Sequence, residues 1–278
     1  MLGDMTGALS AALRRFGAKG GWVMSSHVAM SMILALFPFV LFVLSLAAWL
    51  SQDVVTDDVI ELIFGTWPDA IAGPITAELR TVLSMADPGL LTVGGVLAIY
   101  FASNGVDAIR VAMSNAYRSA DPRPFWRTRG LCLIFVLFGG AAVLITATLG
   151  LVLPLYFQLV ADAVEGPVAA WLDNGGLRNA ITLGLLISGV TACHYWLPGL
   201  RHPLRQIWPG VVLTILLWSV AGQGFSFYIS RFGGYSATYA GLAGAMAALI
   251  FLYLMAAILI LGAEFNGALI ERDRQRRD

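Results

Sequence analysis

Six stretches of this chain run for 19 residues or more without an Asp, Glu, Lys or Arg. They lie between Lys19 and Asp53, Asp87 and Asp107, Arg129 and Asp162, Arg178 and Arg201, Arg205 and Arg231, and Arg231 and Glu264, with lengths of 33, 19, 32, 22, 25 and 32 residues. A helix that crosses a bilayer needs about 20 consecutive, predominantly apolar residues. The windows predict an all-α, polytopic membrane protein with six transmembrane helices, near 24–50, 90–116, 128–157, 179–198, 207–230 and 237–265. Only 12% of the residues are charged, about half the share of an ordinary soluble domain. Such a chain cannot cover itself with a hydrated surface and needs lipid as part of its solvent. The first window is far longer than the roughly 7–15 residues of a signal-peptide core and no small-residue cleavage site follows it, so it is expected to remain as the first span. Residues 1–278 read as one transmembrane domain.

Orientation follows from the basic residues in short loops. One side carries Arg14, Arg15, Lys19, Arg118, Arg123, Arg127, Arg129, Arg201, Arg205, Arg272, Arg274, Arg276 and Arg277, and the other only Arg80, Arg178 and Arg231. The count of 13 against 3 places both termini in the cytoplasm, with Arg110 left inside a span. The opposite loops are acidic, from Asp53 to Asp87 and again at Asp162, Glu165 and Asp173. Trp22, Tyr117, Trp126, Tyr195, Trp196 and Trp208 fall at the cytoplasmic ends, as an interfacial aromatic belt would.

The outer loop 51–88 is the longest connection. Pro74 can open a helix, and Ile75, Leu79, Val82 and Leu83 then share one face until Asp87-Pro88-Gly89 ends it. With a shorter helix from Val54 to Phe64, the loop is expected to hold short amphipathic helices on the membrane surface. Pro38 and Pro154 fall inside spans and are expected to kink them. Cys132 and Cys193 both fall near cytoplasmic ends, so no disulfide is expected.

The residues argue against hydrolytic chemistry. Phosphodiester cleavage commonly uses clustered carboxylates or histidines holding metal, or a histidine acid–base pair. His27, His194 and His202 sit at separate span ends without ligand spacing, and no phosphate-binding glycine loop is present. No enzymatic activity, cofactor, metal or nucleic-acid partner is therefore expected.

Polar groups within the spans are more informative, because a charge near the bilayer centre costs about 2.5–3.5 kcal/mol on insertion scales and usually faces the protein interior. Asp107 and Arg110 are three residues apart and can pair. Asn104 lies one turn earlier, Asn115 further on, and Glu264 and Asn266 near the end of the last span, at matching depth. Arg110 is expected to take both Asp107 and Glu264. With Ser31 of the first span, these seven residues make either a vestibule that binds a substrate headgroup or a purely structural cluster that fixes helix register. Small residues from Ala240 to Ala248 are expected to let a neighbouring helix approach the last span.

Four separated segments carry a resemblance. Ala35-Leu-Phe-Pro-Phe, Ser103-Asn-Gly-Val-Asp-Ala-Ile-Arg with Asn115-Ala-Tyr-Arg, Arg123-Pro-Phe-Trp-Arg, and Ser236-Ala-Thr-Tyr-Ala-Gly-Leu-Ala-Gly running on to Leu261-Gly-Ala-Glu-Phe-Asn-Gly-Ala resemble the YihY/BrkB family, in its order. The resemblance implies a bacterial inner-membrane protein with six spans. Its members carry a ribonuclease label, a virulence or serum-resistance label, or a connection with lipopolysaccharide or lipid export, none attached to a residue that maps here. Two function classes follow. One is a transporter or flippase for an amphiphilic substrate, lipid or lipopolysaccharide-related, not driven by ATP bound to this chain. The other is a non-transporting scaffold for envelope assembly. Membrane lipids are the expected partners, and a homo-oligomer is compatible with either.

Overall fold

A computed structural model describes residues 2–50, 76, 88–118, 120–160, 176–232 and 242–276. Among them are seven helices: α1 (Leu2–Ala18), α2 (Gly21–Leu50), α3 (Pro88–Ala116), α4 (Phe125–Val160), α5 (Gly176–Trp196), α6 (Leu204–Phe232) and α7 (Leu242–Gln275). No strand is present among the described residues. The six helices from α2 to α7 fall on the six charge-poor windows. Four stretches, Thr92–Ala116, Phe125–Ala142, Leu204–Tyr228 and Met246–Gln275, are long and apolar enough to cross a membrane, and Gly21–Ala35 is a shorter apolar helix. The amphipathic helices expected in the loop 51–88 lie outside the described residues.

The first helix was not expected. Ala8, Ala12 and Phe16 recur every four residues and all are buried, so α1 has a narrow apolar stripe: Ala8 and Ala12 pack on Phe265 and Ala268 of α7, and Phe16 on Ala257 and Ile260 of α7 and Ala112 of α3. Gly20, at φ +74°, ends α1 in the left-handed region where an L side chain is strained, and α2 begins at once.

Among the described residues, the buried side chains gather at the basic end, where α3 ends and α6 begins. Val28 of α2, Met113 and Tyr117, Val190 of α5, Ile207 and Val211 of α6, and Leu259 and Ala263 of α7 form the largest buried cluster. Elsewhere the surface is apolar: Leu137, Phe138, Leu216, Val220 and Phe227 are all exposed, as side chains facing lipid would be. Pro38 and Pro154 both sit within single helices, α2 and α4.

Helices α6 and α7 approach closely at two glycines. A Cβ on Gly210 would strike the carbonyl oxygen of Gly262, and one on Gly262 would strike Oγ1 of Thr214. This contact lies beyond the Ala240–Ala248 segment in which a close approach was expected; the side chains of residues 240–245 lie outside the described residues.

Candidate functional site

Three of the seven candidate residues meet in one place. Ser31 from α2 and Asn104 and Asp107 from α3 line a cavity of about 520 Å³, with His27, Met24, Leu34, Phe101, Ala108 and Val111. Gly105 lets α3 lie against Ser31 and Met32: a Cβ there would meet them at 3.8 Å. Ser31 is ten residues into α2 and Asp107 nine before the end of α3, so both lie roughly 15 Å from the basic end at 1.5 Å rise per residue. On both helices the polar positions fall between apolar ones, His27 and Ser31 between Met24 and Leu34, Asn104 and Asp107 between Phe101 and Val111, so the lining offers polar and apolar contacts together, which suits an amphiphile.

Behind the cavity runs a chain of alternating charges. Arg110 Nε donates to Oδ1 of Asp107 at 2.8 Å, and its Nη1 donates to Oδ2 of Asp121 at 2.5 Å. Asp121 also accepts from Arg123, at 2.7 Å from Nε and 2.8 Å from Nη2. Arg123 then donates to the carbonyls of Trp196, Leu197 and Pro198 at 2.7–3.1 Å. These are acceptors that the end of α5 leaves without intrahelical partners, where a cation is also favoured by the helix dipole. Hydrogen bonds from Arg123, with help from Arg110, hold the Asp121 carboxyl down at about 2 despite its burial. The chain thus ties the cavity wall to the connection between α3 and α4 and to the end of α5. Cys132 of α4 adds a weak contact, Sγ to Asp107 Oδ1 at 3.7 Å.

The expected pairing of Arg110 was half right. Asp107 is its partner, but Glu264 is not. Glu264 instead lies 3.3 Å from Nε of Arg15 on α1, with Lys19 and Arg118 also close enough to act on it. The docking of α1 on α7, absent from the sequence reading, accounts for the difference. The distance is that of an ion pair, although the two atoms lack hydrogen-bond alignment. Glu264 and Asn115 face a second cavity of about 350 Å³ with Lys19 and Ile260, and Met24 lies between the two cavities.

Asn266 belongs to neither cavity. It is fully buried. Its Oδ1 accepts from the Gly210 amide at 2.7 Å, and its Nδ2 donates to the Ile207 carbonyl at 2.7 Å and to the Tyr117 hydroxyl at 2.8 Å. The Tyr117 hydroxyl is 2.7 Å from Nδ1 of His194. Its ring stacks on His202 at 5.3 Å and meets His194 edge-on at 5.9 Å. Tyr117 is therefore a core residue rather than part of an interfacial belt, and two histidines expected apart share it as a neighbour. Trp22, Trp126, Trp196 and Trp208 are exposed as a belt requires. Cys132 and Cys193 are free thiols. Asp121, Arg123 and Arg15 were missed as site residues. Their one sequence signal was position, since each basic or acidic residue sits just beyond a predicted span.

Comparison with known proteins agrees with this architecture. A family model described as virulence factor BrkB matches residues 12–278. The ribonuclease-like protein YfkH of Bacillus subtilis (strain 168) is 30% identical over 267 residues, covering 94% of both chains. A UPF0761 membrane protein of Tolumonas auensis is 25% identical over 255 residues, 90% of this chain and 80% of that one. The UPF0761 membrane protein RC1_0578 of Rhodospirillum centenum is 26% identical over 279 residues, and the match spans 59% of its length. No solved structure matches the chain.

Proposed function

We propose that this chain, which belongs to the BrkB family of multi-pass membrane proteins, moves an amphiphilic substrate, lipid or lipopolysaccharide-related, across the bacterial inner membrane. The observation that carries the reading is the cavity between α2 and α3, which Asp107, Asn104 and Ser31 line together with Leu34, Phe101 and Val111. A headgroup has polar partners there and a chain has apolar ones. The pairing of charges behind it supports the reading too, because Arg110 is neutralised by Asp107 and Asp121 and a charged wall can be kept inside a helix bundle.

The membrane arrangement belongs to the same proposal. The chain crosses six times, through α2 to α7, and the 13-to-3 distribution of basic residues puts both termini in the cytoplasm. Arg123, Arg201 and the end of α7 then mark the cytoplasmic end, and the cavity opens within the inner leaflet. No phosphate-binding loop occurs in the sequence, so the energy comes from a gradient, from the substrate's own distribution, or from a partner protein. We assign no nuclease activity to the chain. His194 and His202 are buried around Tyr117, where RNA cannot reach them.

The test is reconstitution of the full chain in liposomes with headgroup-labelled lipid analogues, reading how fast an impermeant quencher gains access to the inner-leaflet label. Faster access than in empty liposomes, slowed by filling the cavity with Leu34→Trp, is expected. A rate equal to that of empty liposomes for every analogue would leave the scaffold reading in its place.

A further inference from the structure

We infer that the cavity between α2 and α3 selects amphiphiles whose head carries a positive charge, an ammonium group seated on Asp107, over those with a purely anionic head. The inference rests on the reading of this cavity as a substrate site and names the substrate class.

Asp107 is the one formally charged side chain among the nine lining residues; no Lys or Arg joins them. Its side chain keeps 39% of its surface exposed. Both of its hydrogen bonds, from Arg110 Nε at 2.8 Å and Cys132 Sγ at 3.7 Å, fall on Oδ1. Oδ2 has no hydrogen-bond partner among the described residues and belongs to the side chain that lines the cavity. The nearest cation, Arg110, binds the other oxygen of this carboxylate and does not line the cavity. Arg110 spends Nε on Asp107 and Nη1 on Asp121, and its side chain is 13% exposed.

An anionic phosphate entering this cavity would therefore meet the unpartnered oxygen of a carboxylate and no lining cation, and like charges brought together out of water repel. An ammonium head meets the reverse: a carboxylate oxygen with spare lone pairs, acceptor groups on Asn104, Ser31 and His27, and the ring of Phe101, whose face attracts cations. Met24, Leu34, Ala108 and Val111 supply the apolar wall for the first methylenes of the chain. Lys19 lines the other cavity across Met24, beside Glu264. The separation gives a zwitterionic head a place for its ammonium at Asp107 and leaves its phosphate to face outward.

The experiment is native mass spectrometry of the full chain, released from neutral detergent with paired probes of equal chain length. The pairs are dodecylammonium against dodecyl phosphate, and phosphatidylethanolamine against phosphatidylglycerol. Retention of dodecylammonium at least about tenfold above dodecyl phosphate is expected, a modest return for one charge pair sheltered from water. Preference for the ethanolamine lipid as well would identify membrane lipid as the source of the ligand; preference confined to dodecylammonium would identify a soluble cationic amphiphile. Asp107→Asn should bring the alkyl ratio close to one. If that variant does not fold, dodecanol on the unaltered chain decides, because an uncharged head should be retained about tenfold less than dodecylammonium. Equal or stronger retention of dodecyl phosphate, removed by Leu34→Trp, would overturn the charge preference and keep the cavity as a binding site. Retention of every probe unaffected by Leu34→Trp would overturn both.

Discussion

Arg15 and Glu264 meet although almost the whole chain lies between them: Nε of Arg15 stands 3.3 Å from Oε2 of Glu264, joining the first helix to the last. Glu264 keeps 6% of its side-chain surface and Arg15 23%, so the pair is shielded from water but not sealed. Removing one member strands the other in an apolar setting, whereas removing both does not. Arg15→Ala or Glu264→Ala should each cost about 1–3 kcal/mol in the stability of the purified protein. The exchanged pair, Arg15→Glu with Glu264→Arg, should recover part of that loss. A thermal scan in which the exchange is worse than either single change would show that the pairing is incidental.

Arg123 reaches four partners with one planar group: the Asp121 carboxylate and three carbonyls at the end of α5. Lysine has a point charge and cannot reproduce that fork. Arg123→Lys should therefore lose most of what Arg123→Ala loses, about 2 kcal/mol or more. Thermal unfolding of the two variants side by side reads this, and near-complete rescue by lysine would refute it.

The contact between α6 and α7 predicts an ordering among glycines. Gly105→Ala adds a methyl at ordinary van der Waals distance from Ser31 and Met32, and should change stability by less than about 1 kcal/mol. Gly262→Ala drives a methyl into Thr214 and Gly210 and should cost about 1–3 kcal/mol. Equal melting temperatures for the two would contradict the packing described here.

His202 lies in the connection between α5 and α6, stacked on Tyr117. Burial first, and then the charge of Arg274, lower its pKa below the usual imidazole value, against a hydrogen bond that the ring donates to Gln206 and that raises it. The folded protein thus prefers the neutral ring. An unfolded histidine titrates near 6.5, so this contribution to stability is present above that pH and is lost as the pH falls through the lower folded value. Melting temperature should drop between pH 7.5 and 5, and His202→Phe, which keeps the stack, should flatten the drop. An unchanged slope in that variant would assign the pH dependence to other groups.

For topology, cysteines placed at Asp58 and Asp173 should react with an impermeant thiol reagent in intact cells, and cysteines at Arg123 and Arg276 should not. Cys132 and Cys193 are replaced first to remove background. Labelling at Arg123 from outside would reverse the proposed orientation.

The sequence made the long helices legible because lipid imposes a composition rule on every residue of a span: the windows free of charge coincide with α2 to α7 to within a few residues at most ends. It made Asp107–Arg110 legible because helical spacing brings residues three apart together. It did not reveal α1, whose apolar stripe of Ala8, Ala12 and Phe16 consists mostly of residues too small to raise the mean hydropathy. Without α1 there was no rival cation for Glu264, and depth alone matched it wrongly to Arg110. Asn266 was misread for a related reason. An amide near a span end has the same sequence signature whether it lines a cavity or, as here, fastens Tyr117 to the start of α6. Only the approach of α6 at Gly210 separates the two.

The charge chain from Asp107 to Arg123 also sets the mechanics of the molecule. It fastens α3 to the end of α5 by directional bonds, while α2 meets α3 through the apolar contacts of Val28, Met32, Ala108, Ile109 and Met113 as well as around the cavity. A change at Asp121, which lines neither cavity, therefore reaches both ends of the chain of charges at once: the cavity wall through Arg110 and the last carbonyls of α5 through Arg123.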